Sequence, residues 1–141
     1  MTEIKMLLVA GGQTYDFHGI VHEINSTDEF HLDCESFYKK IGEGVPETPH
    51  YEIEIISPNH EFFKKHKLNV HEAKHGKRIF MCYPARISSI REANQVFLVW
   101  SMGSALRASG GPHLNDVFKE AGNDFLRAEE MLKEKYGVIV S

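Results

Sequence analysis

IKMLLVAGGQTYDFHGIVHEI, residues 4–24, is the stretch on which the fold turns. Ile4 to Ala10 is a short apolar run stopped by Gly11-Gly12, the pattern of a buried strand. Two continuations compete. Phe17, Ile20, Val21 and Ile24 fall at helical spacing and would give one apolar face to a helix over roughly residues 15–25. Alternatively, Gly11-Gly12 is the turn of a β-hairpin. The helix is the preferred reading, and it makes the next strand parallel to the first.

The rest of the chain follows in kind. Phe30 to Cys34 reads as a short strand and Glu35 to Ile41 as a helical turn ended by Gly42. Gly42 to His50, with two glycines and two prolines, reads as a surface loop. Tyr51, Ile53 and Ile55 alternate with Glu52 and Glu54, the period of a half-exposed strand. Ser57-Pro58-Asn59 stops it and starts a helix from His60 to Lys67. Arg78 to Tyr83 is another strand. Ser88-Ser89 caps a short helix through Asn94, with Glu92 at capping-box spacing. Val96 to Trp100 reads as the most apolar strand, followed by a loop of small residues, Ser101 to Gly111. Pro112 introduces a helix from His113 to Tyr136, softened at Gly122 and ended by Gly137. Val138 to Val140 is a last strand. Strands and helices alternate throughout. This predicts one α/β domain over residues 1–141, three-layered, with a mainly parallel sheet covered on both faces as in flavodoxin-like and Rossmann-like folds. The hairpin reading gives an α+β domain instead.

Hydrophobic residues make up 42% and charged residues 26% of the 141, a globular balance. No run approaches the roughly 18 apolar residues of a membrane span. Met1 to Lys5 carries no signal-peptide pattern, so a cytoplasmic location is expected. Cys34 and Cys82 form no CxxC pair and read as small buried hydrophobes in strand-like surroundings. The net charge of −4 argues against a nucleic-acid partner. The charge is uneven: eleven acids and three bases in residues 1–55, two acids and six bases in residues 56–78. Lys64, Lys65, Lys67, Lys74, Lys77 and Arg78 beside Phe62-Phe63 have the chemistry to bind phosphate or single-stranded nucleic acid. The favoured reading is a solvated helix face with both phenylalanines in the core, and another is a patch that meets the acidic third within the chain or across a homo-oligomer.

In a parallel sheet, ligands bind beyond the carboxyl ends of the strands. Here those ends are Gly11, Gly12, Gln13 and Thr14 on one side, and Ser101, Gly103, Ser104, Arg107, Gly110 and Gly111 on the other. Ser109 to Asp116 leads into a helix whose free N–H groups would favour an anion. Asp16 and His18, just past the first strand, are the candidates for proton transfer. His71-Glu72-Ala73-Lys74-His75 matches the HExxH zinc motif, in which His71 and His75 would share one helix face. Gly76 follows at once and a strand starts near Arg78, so a solvated basic turn is the favoured reading and no metal or cofactor is expected.

Ser89-Ile90-Arg91-Glu92-Ala93-Asn94-Gln95-Val96-Phe97-Leu98-Val99, with Gly103-Ser104-Ala105-Leu106-Arg107 after it, resembles the helix–strand and G-T-A-x-E elements of nucleoside 2-deoxyribosyltransferase-like domains. The resemblance covers about 20 of the 141 residues. It departs from the family pattern three times: Asn94 stands in place of Asp, Arg107 in place of the nucleophilic Glu, and Ser101-Met102 where an acidic residue usually follows the strand. A guanidinium stays protonated and cannot take that role. The resemblance therefore implies binding of a nucleotide or related ligand, with Arg107 on a phosphate. Leu7 to Gly12 with Tyr15-Asp16-Phe17 also resembles amidotransferase-like domains of the trehalose-utilisation type. Two functions are expected from these readings. One is a small α/β domain that binds, and in one version hydrolyses, a phosphorylated small molecule. The other is a non-catalytic interaction or regulatory protein, which fits the lack of a complete catalytic constellation.

Overall fold

A computed structural model describes residues 2–24, 29–40, 42, 44, 50–68, 71–72, 79–80 and 87–141. In chain order the elements begin β1 (Thr2–Ala10), β2 (Gln13–Ile24), α1 (Glu29–Lys40), β3 (His50–Ser57), α2 (His60–Lys65) and β4 (His71–Glu72). They continue β5 (Ile79–Phe80), α3 (Ile90–Ala108), α4 (Leu114–Glu120), α5 (Phe125–Tyr136) and β6 (Ile139–Val140). Among the described residues the strands lie in the order β4-β5-β3-β2-β1-β6. The pairs β1–β6, β2–β3, β3–β5 and β4–β5 are antiparallel. No helix among the described residues is long and apolar enough to cross a membrane.

The expected mainly parallel sheet is thus wrong, and the error starts at the first turn. Gly11 and Gly12 have φ of 59° and 78°, the pair of positive angles that a two-residue hairpin loop demands. Residues 15–25 are not a helix but continue as β2. Tyr15, Phe17, Gly19 and Val21 are all buried, a period of two that outweighs the helical spacing of Phe17, Ile20, Val21 and Ile24.

The chain forms two compact units. The first comprises the described residues of Met1–Ile4 and His18–Phe97. Here β2 runs against β3 with His22 opposite Glu52 and Ile24 opposite His50. One face of this pair takes Phe97 of α3. A Cβ added to Gly19 would stand 2.8 Å from the Phe97 ring and 3.3 Å from Ile53, so only glycine lets the ring lie on the sheet. The other face is covered by α1. Phe30, Asp33, Cys34, Phe37 and Tyr38 are its buried residues, a helical stripe at i, i+3, i+4, i+7 and i+8. Phe30 to Cys34 is therefore helix where a strand was expected. Asp33 inside the stripe hides its periodicity. In α2, the Asn59 side chain accepts the Phe62 N–H at 3.2 Å, as the start signal predicted.

The second unit comprises Lys5–Phe17 and Leu98–Ser141. Leu8 and Ala10 of β1 and Tyr15 and Phe17 of β2 are its buried strand residues. Trp100 meets Phe17 edge-on, with ring centroids 5.8 Å apart. Val117, Ala121, Ala128, Met131 and Leu132 bring in α4 and α5. The single helix expected from His113 to Tyr136 is broken into two, because Gly122 and Asn123 both take positive φ. Gly137, at φ 62°, ends α5 as expected.

Helix α3 carries the largest correction. Val96 to Trp100 is not a strand, and of the expected loop Ser101 to Gly111 only Ser109 to Gly111 lies outside a helix; one helix runs from Ile90 through Ala108. A five-residue apolar run looks the same in a buried helix and in a buried strand. The buried positions Ala93, Phe97, Ser101, Ser104 and Ala105 repeat at helical spacing, but alanine and serine send no hydrophobic signal. The start was legible. Glu92 N–H donates to Ser89 Oγ at 3.1 Å, and the Glu92 carboxylate accepts Ser88 N–H and Oγ–H at 3.0 and 2.7 Å. These Ser88 hydrogen bonds hold the Glu92 carboxyl below its ordinary range. A carboxyl lowered on folding stabilises the native chain above its unfolded value and loses that contribution as pH falls through the folded one. An NMR titration is expected to give Glu92 a midpoint below that of the Ser88→Ala variant; equal midpoints would discard the bond from the Ser88 hydroxyl to Glu92.

Candidate functional site

The two glycine-bearing segments singled out in the sequence do meet, within the second unit. A Cβ on Gly11 would lie 2.7 Å from the Ser109 Cβ, so the β1–β2 turn rests on the end of α3. The Gly11 N–H also points at the Tyr136 carbonyl, 3.5 Å away. Gly12, Gln13 and Thr14 are exposed. The Tyr15 hydroxyl donates to Gln13 Oε1 at 3.1 Å, and burial pushes that hydroxyl's pKa up.

What reaches this rim is not what a phosphate needs. Ser101 and Ser104 are buried inside α3, Gly103 packs toward Leu114, and none of the three lines a loop. Arg107 donates its guanidinium N–H to Nε2 of His113. Ser109, Gly110 and Gly111 spend their N–H groups on the carbonyls of Ala105, Arg107 and Leu106, and Ser109 Oγ donates to the Leu106 carbonyl. The turn therefore faces the carboxyl end of a 19-residue helix, the end that carries partial negative charge and disfavours anions. Asp16 is exposed on β2 in this unit. His18 belongs to the first unit, with Nε2 3.8 Å from Glu3.

Of the HExxH segment, His71 and Glu72 form the short strand β4 rather than a helix, and residues 73–75 lie outside the described residues, as does Cys82. Among the described residues no group of three or more His, Cys, Asp or Glu side chains could hold a metal ion.

Ser101 Oγ is fully buried with no hydrogen-bond partner among the described residues. An unmet buried hydroxyl costs about 1–3 kcal/mol. Ser101→Ala is therefore expected to leave the melting temperature unchanged or to raise it. A clear fall in calorimetry would show that the hydroxyl has a role in the native state.

Sequence reading missed a polar layer in the first unit. His22 Nε2 lies 2.8 Å from Glu54 Oε1, and its ring stacks on Phe30 with centroids 3.7 Å apart. The Tyr38 hydroxyl donates to Glu52 Oε1 at 2.6 Å, and His50 Nε2 lies 3.4 Å from the same oxygen. Glu52 is 3% exposed and His50 2%. The alternation of Tyr51, Ile53 and Ile55 assigned the glutamates to solvent. The signal for the opposite lay in α1, whose stripe needs a second face to cover. This layer holds acids and imidazoles against the buried stripe of α1, and its chemistry is that of a helix-docking network.

One further surface stands out. Leu7 pairs with Ser141 through both backbone bonds, at 3.0 and 2.9 Å, with Leu8 opposite Val140 and Val9 opposite Ile139. Bonded pairs alternate along an antiparallel ladder. The N–H and C=O of Val140 are therefore turned away from β1, toward the open edge. Around them Leu7, Ile139 and Val140 are 46%, 51% and 41% exposed. No charged side chain lies on β6, and among the described residues no strand pairs with its other side. Compared with protein-family models, curated proteins and solved structures, the chain matches none.

Proposed function

We propose that this chain is a non-catalytic interaction protein that takes an extended apolar segment of a partner onto the edge of β6. The carrying observation is the outward-turned backbone of Val140 in an uncharged, exposed edge. Edge strands are usually blunted by charge, because an open row of N–H and C=O groups templates another strand. Here the charge is missing. Addition of a strand supplies main-chain hydrogen bonds, and Leu7, Ile139 and Val140 supply apolar contact. Because β6 is only two residues long, the affinity must come mainly from those side chains. The alternative, a phosphorylated small molecule at the Gly11–Ser109 rim, draws support from the closeness of the two segments but runs against the helix polarity there.

Proline at position 140 removes the outward N–H and leaves the bonds to β1 in place, which an edge strand tolerates. Partners captured from a lysate by wild-type protein are expected to lose at least about tenfold in affinity for Val140→Pro, the scale of one hydrogen bond and its contacts. They should bind Val140→Thr, which keeps the N–H, far more tightly than the proline variant. Equal binding of all three forms would exclude the β6 edge. In parallel, nucleotides and sugar phosphates are expected to leave the melting temperature unmoved. A concentration-dependent rise would favour the rim instead.

A further inference from the structure

We draw no further inference here: the strongest candidate, the open outer edge of β6 with exposed Leu7, Ile139 and Val140, belongs to the surface already described, and nothing in the structure shows which particular partner covers it.

Discussion

Phe97→Ala is expected to lower the free energy of unfolding by about 3–5 kcal/mol, the range for deleting a buried phenyl ring. Phe97 is fully buried and lies on the sheet face made by Gly19 and Ile53. Neither neighbour can fill the space it leaves: Gly19 has no side chain, and Ile53 is fixed in β3. The loss therefore combines the transfer of the ring to water with a cavity that stays open. A fall in the urea midpoint at constant slope is the measurement. A midpoint within error of wild type would mean that the ring is not the anchor of this face. Gly19→Ala separates the causes. Its methyl would meet the Phe97 ring at 2.8 Å, so it destabilises on its own. In the Phe97→Ala background the same methyl enters vacated space, and the two costs should sum to more than the double variant shows. Strict additivity would place the two residues out of contact.

Gly11→Val carries the second large penalty, in the other unit. A β-branched residue at φ 59° sits in the left-handed region at a cost of about 1–2 kcal/mol. Its Cβ would also stand 2.7 Å from the Ser109 Cβ, closer than unbonded carbons approach, and relieving that contact costs about 1–3 kcal/mol. Gly12→Ala is the control, with φ 78° but nothing within 4 Å of the added atom. It should show the backbone cost alone. Ser109→Gly combined with Gly11→Val should recover only the packing part. If Gly11→Val and Gly12→Ala prove equally mild in thermal melts, the turn does not rest on α3.

Local signals in the sequence were reliable where a single residue type determines geometry. Asn59 caps α2, Ser88 and Ser89 with Glu92 start α3, and Gly137 ends α5. The larger topology failed at two apolar runs whose periodicity is ambiguous. In Tyr15 to Ile24, helical and alternating patterns share Phe17 and Val21, and only the conformation of Gly11-Gly12 separates them. In Val96 to Trp100, every position is apolar, so no face can be read. Its helical continuation depends on Ser101, Ser104 and Ala105, residues whose burial nothing local announces. The candidate site shared this fate. The Gly11 and Ser109 segments meet, a proximity the sequence leaves open, but a helix C-terminus stands where a strand end is expected, which reverses the sign of the local dipole. The edge at Val140 was legible only as a final strand. Its open side follows from the pairing register, which no single stretch of sequence contains.

The Tyr38–Glu52 hydrogen bond has a consequence for folding fidelity. Apolar stripes are forgiving: a helix can slide along a sheet by one turn, about 5.4 Å, and still bury grease against grease. With Glu52 in the layer, such a slipped docking strands a carboxyl in a dry interior and forfeits about 1–3 kcal/mol. Native domains are typically stable by only about 5–15 kcal/mol, so a loss of that size counts. The glutamate that looked like a solvent-facing residue thus works as a checksum: it adds little attraction of its own, yet it makes the near-miss arrangements of α1 distinguishable from the right one.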